Sequence, residues 1–104
     1  MKYRIYQPKE INFFFNENKE DYKKDDYKLM YEGEFNNEIA KEDTDWILER
    51  IFSIFNISRP EDFKGHSLSV NDIVVLDNND DDGFSFKTGA YVCANCGWEK
   101  INLV

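Results

Sequence analysis

Phe63-Lys64-Gly65-His66-Ser67-Leu68-Ser69-Val70-Asn71-Asp72-Ile73-Val74-Val75-Leu76 is the stretch whose reading decides the architecture. A Gly-His step leads into alternating Ser, Leu, Ser and Val, then Asn71-Asp72, and finally four aliphatic residues. Ser, Asn and Asp side chains bond to nearby backbone groups and so hold turns. A short aliphatic run bounded by such a turn reads as a buried strand. The pattern predicts a strand over Ile73–Asp77, entered through a turn that its own side chains cap.

Working towards the N-terminus, Asp43 or Thr44 caps a helix with acidic Asp45 in its first turn. Ile47, Ile51, Ile54 and Phe55 fall on one stripe of it, and Glu49, Arg50 and Ser53 face water, with the helix running out at Asn56. Tyr3–Gln7 alternates and reads as a strand ended by Pro8. Ile11–Phe15 is a compact apolar run that suits either a second strand or a short helix. Lys19–Asp26 reads as a solvated helix or loop, and Tyr27–Phe35 as a strand with Tyr27, Leu29 and Tyr31 on one face. Beyond the central strand, Asn78–Gly83 is a turn, Phe84–Cys93 a returning strand kinked near Gly89, and Trp98–Val104 a final strand. The sum is one α+β domain over residues 1–104: a small antiparallel sheet with one main amphipathic helix packed on one face.

Aromatic residues reach 16% and charged residues 33%, with a mean hydropathy of −0.69, so the apolar content is concentrated in a few bulky side chains. Net charge is −8 and unevenly spread. Residues 1–31 carry seven Lys/Arg against six Asp/Glu, whereas residues 32–104 carry six against fifteen. An acidic surface repels phosphate backbones and attracts basic ones, so direct nucleic-acid binding is not expected and a basic protein partner is. No apolar run reaches membrane-spanning length and Met1-Lys2-Tyr3-Arg4 opens no signal peptide, so a cytoplasmic location is expected.

Each candidate for chemistry has a plainer reading. Cys93-Ala94-Asn95-Cys96 lacks the second pair a zinc site needs, and the chain's single His is His66. A redox pair wants its first thiol at a helix N-terminus, but Cys93 ends a strand. Asn78, Asp80, Asp82 and Gly83 imitate the start of a calcium loop, yet Gly89 stands where its bidentate Glu belongs, so a hairpin turn is expected. His66 lies too close in sequence to Ser67 and Ser69 for a catalytic triad. No catalytic residue, cofactor or metal is expected. The candidate partner-binding residues are the clustered acids Glu32, Glu34, Glu42, Asp43, Asp45, Glu61, Asp62, Asp80, Asp81 and Asp82.

Gly65 to Leu76, followed by Gly89-Ala90-Tyr91-Val92 and Gly97-Trp98-Glu99-Lys100-Ile101, resembles the YodL-like domain family of Firmicutes and their mobile elements. Tyr3–Gln7, Tyr31-Glu32-Gly33 and Ile51–Asn56 follow the family's outline, whereas Cys93–Cys96 replaces its usual aromatic-acidic step. The resemblance implies a compact, non-enzymatic adaptor or inhibitor that acts by protein contact. Together with the charge, it leads to the expectation of an inhibitor encoded by a phage or mobile element. Such a protein would block a basic nucleic-acid-binding surface of a host defence protein, such as a CRISPR effector or restriction enzyme. The alternative is a binding module that modulates a housekeeping assembly such as the bacterial cell-shape cytoskeleton.

Overall fold

The computed structural model describes residues 2–9, 21–36, 42–77, 89–95 and 97–104. Strand β1 covers Lys2–Pro8, β2 Asp21–Tyr22, β3 Tyr27–Glu34, β4 Ile73–Asp77, β5 Gly89–Ala94 and β6 Gly97–Leu103, with helix α1 over Thr44–Ile57. A short 3₁₀ turn, Lys24–Asp26, links β2 to β3. The apolar run at residues 11–15, the turn at 78–83, the start of the returning strand at 84–88 and Cys96 lie outside the described residues.

The strands form one sheet in the order β2-β6-β5-β4-β1-β3. The predicted central strand lies inside it, antiparallel to both β1 and β5. The fold class is α+β, but the expectation of a purely antiparallel sheet is corrected. Strand β2 runs parallel to β6, with Asp21 opposite Asn102 and Tyr22 opposite Leu103. Val104 N–H donates to the Tyr22 carbonyl and Lys24 N–H to the Val104 carbonyl, extending that pairing. The stretch read as a solvated helix or loop thus contributes an edge strand, whose Tyr22 is 1% exposed.

The sheet must curl. Strands β2 and β3 lie at opposite edges, yet Tyr22 and Tyr27 are only five residues apart. Five peptide steps reach about 18 Å, whereas a flat sheet of this width would separate its edges by about 24 Å. The curl brings the Tyr22 and Tyr27 rings to 6.4 Å. Tyr6, Tyr22, Tyr27, Ile73, Ala90, Val92 and Ile101 cluster together.

Residues alternating with these form the second cluster, in which Tyr3, Ile5, Val74, Leu76 and Tyr91 join Ile47, Leu48, Ile51 and Phe55 of α1. Aromatic rings tie it together: Tyr31 meets Phe55 at 5.1 Å and Phe55 meets Phe63 at 4.8 Å, both edge-on. Tyr3 stacks on Phe35 at 4.8 Å and lies across Gly33, where any Cβ would collide with its ring. The predicted helix stripe is buried at Ile47, Ile51 and Phe55, joined by Leu48. Asp43 is its N-cap, with Oδ1 accepting from Trp46 N–H at 2.9 Å. The helix runs one residue past Asn56, to Ile57, with Ser58 as its C-cap.

One register expectation is also corrected. Ile5 pairs with Tyr31 and Tyr6 with Leu29, so Met30 is an extra residue in β3. Such a bulge inverts the alternation. Tyr27 therefore belongs to the inner cluster and Tyr31 to the one that includes α1, not to one common face.

Candidate functional site

The described members of the candidate acidic set fall into three places. Glu32 and Glu34 are exposed on β3, directly across from Arg4 and Lys2 of β1. Glu42, Asp43 and Asp45 are exposed around the start of α1. Glu61 and Asp62 are exposed in the turn after the helix, where Asp62 accepts a hydrogen bond from Tyr31 and helps raise that phenol's pKa, after burial. Asp80, Asp81 and Asp82 lie outside the described residues. The candidate set is thus spread over the surface, and none of its described members sits in an ion pair among the described residues, where the pairs are Arg4–Asp77 and His66–Asp72.

The Gly65–Asp72 segment is held by a buried polar network. Asp72, 1% exposed, accepts from Ser69 N–H at 2.9 Å and from Gln7 Nε2 at 3.1 Å through the same oxygen, Oδ2. Gln7 Nε2 also donates to the His66 carbonyl at 2.8 Å. His66 Nδ1 lies 2.8 Å from the Ser67 carbonyl and 3.1 Å from Gln7 Nε2. A carbonyl only accepts and an amide nitrogen only donates, so the Ser67 contact places the proton on Nδ1. The two Gln7 N–H bonds then go to the His66 carbonyl and Asp72. Gly65 is required here, since a Cβ would collide with Gln7 Oε1 and stand 2.8 Å from the Phe63 ring.

The same segment is tied to three other elements. Asn56 clamps Leu68, accepting from its N–H at 2.6 Å and donating to its carbonyl at 3.2 Å. Asn71 adopts a left-handed φ of 83°, which Asn tolerates better than most residues, and its Oδ1 accepts from Tyr27 Oη at 3.0 Å. Asn71 N–H donates to the Cys93 carbonyl and Cys93 N–H to the Asp72 carbonyl. The sequence pointed to the side chains of Ser67, Ser69, Asn71 and Asp72 as the turn's fasteners; Asn71 and Asp72 use theirs, whereas Ser69 takes part through its backbone N–H and Ser67 through its carbonyl. The sequence did not reveal Gln7, Tyr27 or Asn56, whose partners lie 59, 44 and 12 residues away.

Chemically, this network restrains the chain. Burial pushes the Asp72 carboxyl up from 3.8 to about 6, against the lowering effect of its bonds from Ser69 and Gln7 and of nearby His66. The nearest His66 nitrogen lies 4.0 Å from Asp72 Oδ2, and among the described residues Nδ1 meets no serine hydroxyl. Cys93 is buried in β5, and burial, with the Asp72 and Glu49 carboxylates, pushes its thiol up to about 11. The next described residue after Asn95 is Gly97, the first of β6, so Cys93 does not start a helix. No group of three His, Cys, Asp or Glu side chains is placed to hold a metal ion among the described residues. None of their helices is long and apolar enough to cross a membrane.

Among the described residues, a curled mixed sheet, one α-helix and a turn locked by buried polar side chains make a small α+β fold. The chain belongs to the YodL-like domain family, whose model matches residues 2–103. No curated protein and no solved structure matches it.

Proposed function

We propose that this chain is a non-catalytic, protein-binding inhibitor of the kind carried by phages and mobile elements, acting in the cytoplasm on a basic partner. Its acids compete with nucleic acid for a positively charged surface of a host defence protein, such as a CRISPR effector or a restriction enzyme. The observation that carries this reading is the charge. Residues 32–104 hold fifteen acids against six bases, and Glu32, Glu34, Glu42, Asp43, Asp45, Glu61 and Asp62 are all exposed. On the outward side of α1, Trp46, Glu49, Arg50 and Ile57 are exposed. The test is affinity capture from the natural host on the immobilised protein, followed by elution with duplex DNA. Release of a nucleic-acid-binding protein by DNA supports the reading, and a captured partner that DNA leaves bound overturns it.

A second reading, a module that modulates a housekeeping assembly such as the cell-shape cytoskeleton, draws support from exposed apolar side chains. Trp46 and Ile57 on α1 are 43% and 81% exposed. Contacts through these would survive high salt, which separates the two readings.

A further inference from the structure

Trp46 and Ile57 stand eleven residues apart, three helical turns, and point within about 20° of each other along a rise of about 16 Å. Exposed Glu49 and Arg50 lie between them, so the outward stripe of α1 has apolar ends and a charged middle. Beside Glu49 runs a groove of about 160 Å³ between α1 and the adjoining ends of β5 and β6, lined by Glu49, Phe52, Cys93 and Trp98 among others. The Phe52 and Trp98 rings meet edge-on there at 6.4 Å. An aromatic lining beside a carboxylate suits a planar cation, which can lie against a ring while the carboxylate makes it a charge-assisted bond. Cys93, which also lines the groove, adds no competing charge, since burial keeps its thiol protonated.

We propose that this face of α1 takes an arginine-bearing segment of the basic partner, one guanidinium entering the Phe52–Trp98 groove against Glu49 and the segment lying along Trp46. Arginine fits better than lysine because its flat, weakly hydrated head stacks on rings. The inference rests on the proposed acidic-surface function and says where on the molecule the contact is made. Glu42, Asp43 and Asp45, exposed at the same end as Trp46, supply the complementary field.

The experiment titrates the isotopically labelled full chain with a synthetic nine-arginine peptide and follows amide and indole signals by NMR. The expected result is binding with the largest shifts at Glu49, Phe52 and Trp98 and at the Trp46 indole. Glu49→Gln and Trp46→Ala should each weaken binding about threefold. The control, Glu32→Gln with Glu34→Gln, removes more charge elsewhere and should weaken it less than Glu49→Gln alone. If the control weakens binding as much or more, or the shifts centre elsewhere, the α1 site is wrong while the acidic-surface function stands. If the unaltered chain ignores the peptide, both fall. Native-like spectra of the free variants separate lost binding from lost folding.

Discussion

Replacing Asp72 by Asn makes the protein's stability less sensitive to pH, in a direction the geometry fixes. The folded-state carboxyl is raised from 3.8 to about 6, so the folded chain holds a proton that the unfolded chain has released. Stability from this group is therefore fully present below the unfolded value and is lost as pH rises through the folded one. At 1.36 kcal/mol per pH unit, the difference amounts to about 3 kcal/mol between pH 3 and pH 7.5. An Asn carbonyl oxygen at the Oδ2 position accepts the same two bonds from Ser69 N–H and Gln7 Nε2 without carrying charge. The groups facing Asp72 are His66 from its own segment, Tyr27 from β3 and Cys93 from β5; the burial-raised pKa values of Tyr27 and Cys93 keep both neutral in this range. Urea unfolding of both proteins across this pH range gives the stability difference at each pH, in which the other carboxylates cancel. The advantage of Asp72→Asn should grow by about 3 kcal/mol towards neutral pH. A flat difference, or one that shrinks as pH rises, refutes the desolvation argument.

Other predictions follow from single contacts. Asp43→Ala removes the N-cap bond to Trp46 N–H and should lower stability by about 1 kcal/mol in the same unfolding assay, with Asp43→Asn losing little. Gly33→Ala drives a methyl into the Tyr3 ring and should cost about 1–3 kcal/mol, seen as a lowered melting temperature that Tyr3→Leu partly restores. In a Cys96→Ser background, Cys93 should react with a thiol reagent at pH 8 about a hundredfold more slowly than an ordinary cysteine, because a thiol raised to about 11 is almost wholly protonated. Labelling at the rate of a free thiol would show that the side chain is not shielded as described.

Much of the frame was legible because local signals agreed with tertiary structure. Ile73–Leu76 was aliphatic and turn-bounded, and it became a strand inside the sheet, flanked by β1 and β5. The Ile47, Ile51 and Phe55 stripe had helical period and was buried. What stayed hidden needed information that periodicity does not hold. Tyr22 lies in a mixed-charge stretch, and a two-residue strand has no alternation to detect; only its pairing with β6 buries it. Tyr31 changed sides because of the extra residue Met30, and no residue type announces a bulge. For the candidate site, sequence identified acids but not their grouping: register sets Glu32 and Glu34 opposite Arg4 and Lys2, apart from the acids around α1. Trp46 read as part of a helix, and its exposure followed from the direction in which α1 presents its apolar stripe.

The salt dependence of binding to the captured host partner tests the account most directly. Charge mimicry predicts affinity that falls steeply and steadily as sodium chloride rises from 50 to 500 mM, losing about tenfold or more. Affinity that holds constant over that range would contradict it, and would mean that the acids of residues 32–104 keep the protein dissolved while its partner is held by other contacts.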